Sequence, residues 1–326
     1  MKTIWLLCFI FFFVSLAADD SELTKLIKGM EPNTWAELKT SNHDKNLMKV
    51  NVNGYHIAGW TDDGVWDEKN KMFLFMGFRQ GLKFISYSEN SNSWKEILPL
   101  PEWPIKDNFG HVYGNNAFDE KRGIYYHHFS ATNLVTGFNF ESKKWDLLPA
   151  IPNSPGQLAT GIEYFPDADC LFRHANDGLW YFSFKTKEWV KIGKIAVCGY
   201  HSLLRYNPLK KEVLFVGGSH TPNAVVRIDK DLKVTELTST PVPLNIRFER
   251  LIVNPINGHY LFIKENELYD FDSETGIYTK VPDFKYPFAA TEMPVPATVY
   301  SHKVIFFVDN KVMIYKPLEI KAEEKK

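Results

Sequence analysis

Cysteine is scarce, with three residues in a chain of 326. Only Cys170 and Cys198 lie beyond the N-terminal apolar segment, too few for a disulfide framework and unneeded in a chain long enough to bury a large core. A bridge between them is disfavoured, because the repeat described below puts Cys170 near one end of a strand and Cys198 in a loop at the opposite end. Apolar runs of eighteen residues are also missing, so the pattern contains no membrane-spanning helix. Neither charge sign dominates: 38 basic residues face 39 acidic ones, a net charge of −1, which removes any bulk electrostatic attraction to nucleic acid or an anionic membrane. There is no glycine-rich phosphate loop, no Gly-x-Ser-x-Gly elbow and no Asn-x-Ser/Thr acceptor. The acidic stretch 270–276 fails as a calcium loop, since its glycine comes one place late and Val281 stands where a glutamate is required. Helical periodicity is confined to about 21–30.

The segment that opens the chain has a definite character. Lys2 precedes an apolar run over 4–16 interrupted only by Ser15, and Ser15, Leu16 and Ala17 supply a small-x-small pattern. This is the layout of a secretory signal peptide, so residues 1–18 are expected to be removed on export to the periplasm or the extracellular space. The remaining 19–326 reads as a single domain, beginning with a short helix at about 21–30 and ending in a charged tail over 318–326. Hydrophobic residues make up 44% and aromatics 15%, which excludes disorder as the main description. A monomer without membrane insertion is expected.

An internal repeat organises that domain. Aromatic marks stand at Trp35, Trp94, Trp145 and Trp189, with weaker counterparts at Val234 and Tyr278, spaced 44 to 59 residues apart. Before each of the marks from Trp94 onward lies an alternating strand and a polar turn, which together make a hairpin. Upstream of each hairpin comes a dense β-forming run, such as 72–77, 213–218 or 304–308, itself preceded by a reversal such as 66–71 or 206–211. Four short strands recurring in units of about 45 residues are what a propeller blade requires. The expected fold is all-β: a six-bladed β-propeller of four-stranded antiparallel blades. The last unit holds three clear strands, ending at 311–315. Trp35 has no hairpin partner before it, so 35–38 is predicted to pair with 312–315 and close the ring.

These segments resemble the kelch family of β-propellers, which includes the central domain of galactose oxidase. Val213 to Gly218 matches the family's strand ending in two glycines, while Phe140 with Trp145 and Phe184 with Trp189 match its aromatic pair. The likeness covers about 35–316 in degenerate form, with one glycine kept at Gly77 and none near His127, Arg173, Ile263 or Val308. The copper-radical chemistry of galactose oxidase is not implied, because Cys170 and Cys198 lack the matching context. Sugar-acid epimerising propellers belong to the same resemblance. A shared fold supplies a scaffold, and function has to come from the site.

In propellers the loops entering the first strand and those joining the second and third strands share one face around the central channel. On this face fall Arg79, His111, Arg173, His174, Tyr200, His201, His220, Arg247 and Glu249. Guanidinium forks beside aromatic rings suit a carboxylated or hydroxyl-rich ligand, because arginine bonds carboxylate bidentately and a ring stacks on an apolar sugar face. The expectation is a secreted recognition module binding glycan or protein at this rim, with no catalytic residue assigned and no cofactor. The alternative is a glycan-active enzyme on the same face, a hydrolase, lyase or sugar-acid mutarotase, with His111, His201 or Glu249 in acid/base roles. Equally open is a structural role, in which these cations and imidazoles satisfy loop backbone or pair between blades. Four histidines, at 111, 174, 201 and 220, could face one mouth, but their spacing is set by blades rather than by a ligand motif, and no metal is assigned.

Overall fold

A computed structural model describes residues 20–44, 46–50, 54–58, 64–78, 81–102, 114–129, 132–152, 161–175, 178–193, 195–244, 250–289 and 292–320. They form six antiparallel sheets of four strands each. Blades 1 to 5 run in chain order over 65–96, 116–147, 162–193, 202–236 and 250–280, and blade 6 holds 295–316. The first strands of successive blades lie side by side, and that of blade 6 returns to that of blade 1, so the sheets stand around an axis. The fourth strand of blade 6 is Thr34–Glu37, with Trp35 opposite Tyr315 and Ala36 opposite Ile314. The ring is therefore closed from the front of the domain, as the unpaired tryptophan mark predicts.

Second strands are sandwiched between neighbouring sheets, which explains their continuous rather than alternating hydrophobicity. Every residue of Cys170–Ala175, Glu212–Gly217 and Val304–Val308 is buried. Fourth strands lie at the rim and bury little beyond the aromatic mark: in Ser93–Glu96 only Trp94 is buried. The core is divided accordingly. Among the described residues the buried apolar side chains fall into six clusters, one at each junction between adjacent blades.

Local turn chemistry repeats with the same period. The hairpins between first and second strands each place one residue in the left-handed region just ahead of the second strand, namely Lys71, Gly123, Asp169, Lys211, Gly258 and Lys303. Outer hairpins do likewise with Asn92, Lys143, Lys187, Leu232 and Gly276, and Asn33 holds the equivalent position ahead of the closing strand. The outer-strand marks have a shared task. The indole N–H of Trp94 donates to Thr40, that of Trp145 to the Pro99 carbonyl and that of Trp189 to the Pro149 carbonyl, at 3.0, 2.7 and 2.6 Å. Tyr278 donates its hydroxyl to the Thr238 carbonyl. Each of these four marks thus pins the segment by which the chain leaves the preceding blade. Trp35 does the same by packing, with its ring 6.1, 5.9 and 6.1 Å from Phe284, Tyr286 and Phe288 in the segment leaving blade 5.

The helix Glu22–Lys28 is capped by Ser21, whose hydroxyl accepts from the Thr24 N–H, and it buries Leu23 against blades 1 and 6. The Ser21 hydroxyl also donates to Glu89 of blade 1, which accepts from His302 of blade 6 at 2.9 Å. Among the described residues no helix is long and apolar enough to cross a membrane. Cys170 is buried and Cys198 exposed, and neither is in a disulfide.

Two outcomes follow from this closure. Trp35→Ala removes the five-ring contact that holds the closing strand to blades 5 and 6 and should cost about 3 kcal/mol in urea unfolding. Glu89 is the second. Burial works to raise its carboxyl, but the hydrogen bonds from His302 and Ser21 outweigh it and hold the group below the ordinary carboxylate value. A depressed folded pKa means that its stabilisation is complete above about pH 4.3 and is lost as pH falls through the folded value. Glu89→Gln should therefore lower stability at pH 7 by about 1–2 kcal/mol and flatten the decline in melting temperature on acidification.

Candidate axial binding site

The first strands converge on the axis with side chains of opposite character. Around the end where they run into their hairpins lies a cavity of about 590 Å³, lined by residues from all six blades. Trp66, Phe118, Tyr164, Tyr206 and Tyr300 supply ring surface, and Glu68, Glu120, Glu163, Lys121 and Arg205 supply charge. A cavity of this size, mostly apolar with a few convergent polar groups, is that of a small-molecule site. Burial raises the phenol pKa values of Tyr164, Tyr206 and Tyr300, so at neutral pH these hydroxyls are neutral donors. Burial also raises the Glu120 carboxyl, and the neighbouring Asp67 and Glu68 charges push the same way against the bond from the Lys69 N–H.

Several of these polar groups do a second job. Glu68 accepts from the Tyr300 N–H at 2.5 Å, joining blades 1 and 6, and Glu120 accepts from the Lys69 N–H at 2.9 Å, joining blades 2 and 1. Arg122 donates to Asp169 at 2.7 Å, joining blades 2 and 3, and Glu163 accepts from the Tyr206 N–H at 3.1 Å, joining blades 3 and 4. Arg205 donates to the Leu251 carbonyl at 3.2 Å and Thr298 to the Val253 carbonyl at 3.1 Å, completing the junctions of blade 5 with blades 4 and 6. A polar fastener thus stands at every blade junction near the cavity. The carboxylates are held in place before any ligand arrives, which is the preorganisation a binding site needs.

The residues expected from the sequence are distributed differently. Arg173 and His174, adjacent on the second strand of blade 3, are both buried, at 0% and 2% exposure. Arg173 donates to His128 Nε2 at 2.8 Å and to the Thr132 carbonyl at 2.5 Å in blade 2. Burial and the Arg173 charge lower the His128 pKa well below its usual value, keeping the ring neutral and able to accept. His174 faces the other way, with Nδ1 3.0 Å from the Ser202 hydroxyl and its ring 5.0 Å from Phe215 of blade 4. Tyr200, His201 and His220 are brought together in two adjoining loops of blade 4. Tyr200 is 44% exposed with its ring 4.4 Å from that of His201, and the Ser219 N–H donates to the Tyr200 carbonyl. Arg79, His111, Arg247 and Glu249 lie outside the described residues. No group of three metal-ligating side chains converges among the described residues.

The axial cavity lies at the other end of the channel from that rim. Its polar residues sit on the first strands and in the reversals that follow them, segments whose strand and turn chemistry is legible in sequence and conceals their second role. The acid that directly follows the first strand in blades 1 and 2, at Glu68 and Glu120, is the signal that could have found it.

No protein-family model matches the chain, and no curated protein matches it in sequence. Among solved structures it is similar to a structural genomics protein of unknown function from Bacteroides thetaiotaomicron VPI-5482, at 12% identity and a TM-score of 0.56 over 86% of this chain and 75% of that one. It is similar to an auxiliary nutrient binding protein from the same organism, at 12% identity and a TM-score of 0.56 over 79% and 69%. Virginiamycin B lyase from Staphylococcus aureus gives 15% identity and a TM-score of 0.53 over 88% and 89%. Likeness at such identities concerns the fold. The chain is a six-bladed β-propeller, and its chemistry has to be argued from its own residues.

The fasteners are open to a direct check. Arg122 also bonds Asp119, whose side chain is fully buried, at 2.6 Å. Arg122→Met keeps the stem but leaves that carboxylate without its cation and opens the junction of blades 2 and 3, so unfolding free energy should fall by about 2 kcal/mol in urea titration.

Proposed function

We propose that the protein is an exported, monomeric recognition propeller that holds a glycan-sized ligand in its axial cavity. The cavity carries this reading: ring surfaces from Trp66, Tyr164, Tyr206 and Tyr300 stand beside fixed carboxylates and Arg205. Apolar sugar faces stack on such rings, and hydroxyls bond such carboxylates and guanidinium groups. Export rests on the leader pattern over 1–18, which lies outside the described residues. The auxiliary nutrient binding protein, a structural neighbour whose name gives it a nutrient to bind, is in keeping with recognition. Kelch-type ancestry of the blades is supported by Gly217 and Gly218, both left-handed at the end of a second strand, and by the pinning indoles of Trp145 and Trp189. Protein binding at the exposed Tyr200 and His220 loops belongs to the same recognition reading.

A second reading, a glycan-active enzyme, is favoured by Glu120. A carboxyl raised by partial desolvation and by the neighbouring Asp67 and Glu68 charges at a cavity wall is suited to act as a general acid.

A glycan array probed with the exported protein, scored for both retention and released product, separates the two. Retention without product is expected, and product formation would favour the enzyme. Thr298→Phe, which places a ring in the cavity from its partly exposed wall, should weaken retention at least about tenfold, whereas Tyr200→Ala at the far face should leave it intact. The opposite pattern would move the site to the rim.

A further inference from the structure

At the end of blade 4 away from the axial cavity, two loops bring a thiol against an imidazole. Cys198 lies in the segment entering the first strand, and His220 in the turn between the second and third strands. Both are exposed, and Cys198 Sγ stands 3.8 Å from His220 Nδ1. Backbone bonds set this pairing. The Cys198 N–H donates to Thr221 Oγ1 at 2.8 Å, and the His220 N–H donates to the Cys198 carbonyl at 3.2 Å. Gly218 between them has φ +94°, and a Cβ there would stand 2.3 Å from the Cys198 carbonyl oxygen. Only glycine lets the loops approach this closely.

Cys170 makes the contrast. It is buried, and burial pushes its thiol up to about 12, which leaves it protonated and shielded. Cys198 combines access with an acceptor for its proton, the two conditions thiol chemistry requires.

We propose that Cys198 is a modification site at which small disulfides exchange, with His220 as the proton acceptor. The Cys198 S–H proton passes to His220 Nδ1, so the ring carries its other hydrogen on Nε2. The thiolate attacks one sulfur of the disulfide, a new S–S bond to Cys198 forms as the old S–S bond breaks, and the departing thiolate takes the proton back from the imidazolium. The product is a mixed disulfide and one free small thiol, with no outside oxidant.

The test uses the folded protein, oxidised glutathione as probe and intact mass as readout. One glutathione is expected on the wild type and on Cys170→Ser, and none on Cys198→Ser. His220→Ala should slow the reaction at pH 7 at least about tenfold. His220→Asn, which keeps a polar side chain but cannot take the proton, should be as slow. No adduct on the folded wild type would overturn the proposal, and so would either His220 variant reacting within about twofold of the wild-type rate.

Discussion

A sheet packed face to face against two neighbours needs both, and in a ring this demand runs around the molecule until the last sheet meets the first. The strand Thr34–Glu37 meets it. By completing blade 6 from the front of the domain it ties the two ends of the folded chain into one sheet. The six apolar clusters depend on that closure, because each belongs to a junction rather than to a blade. The same physics explains the outer-strand aromatics. A fourth strand at the rim has one sheet neighbour and little to bury, so in five of the six blades its large ring is used to hold the chain as it leaves the previous blade. Trp94, Trp145, Trp189 and Tyr278 do this through a hydrogen bond, and Trp35 through ring contacts with Phe284, Tyr286 and Phe288.

Polar residues near the axis work under a different constraint. First strands converge there, and their hairpins place acids and cations where a neighbouring backbone group needs a partner. The result is a circuit of contacts around a cavity, in which Glu68, Glu120, Glu163, Arg205 and Thr298 both fasten blades and line the space that a ligand would enter. Stability and recognition are therefore joined at this end of the channel. Leu209, exposed on the cavity lining, takes no part in this circuit. At the far end the loops of blade 4 are laced by backbone bonds, and they hold Cys198 and His220 together independently of the cavity.

Arg173 and His174 show why an apparently functional residue resists reading from sequence. An arginine followed by a histidine at the end of an apolar strand is chemically suited to a ligand. In the fold, successive residues of a strand point to opposite faces, and here both faces are blade junctions. Arg173 is consumed by blade 2 and His174 by blade 4, each inside a contact whose other half lies about thirty to forty-five residues away. Glu68 is the converse, a residue of the reversal 66–71 that reaches the cavity wall, where Glu120 and Glu163 join it.

What the amino-acid order determined alone is everything with a local or periodic cause: strands from β-forming runs, hairpins from polar turns, the number of blades from the spacing of the four tryptophan marks and their two weaker counterparts, and closure from a mark without a partner. These depend on neighbours within a few residues or on repetition, both visible in one dimension. Tertiary structure decided which polar side chains meet, that the described cavity lies among the first-strand hairpins, and that Cys198 touches His220. Each depends on residues brought together across a blade junction or between two loops, where partners are chosen by radial packing and no pattern along the chain records the choice.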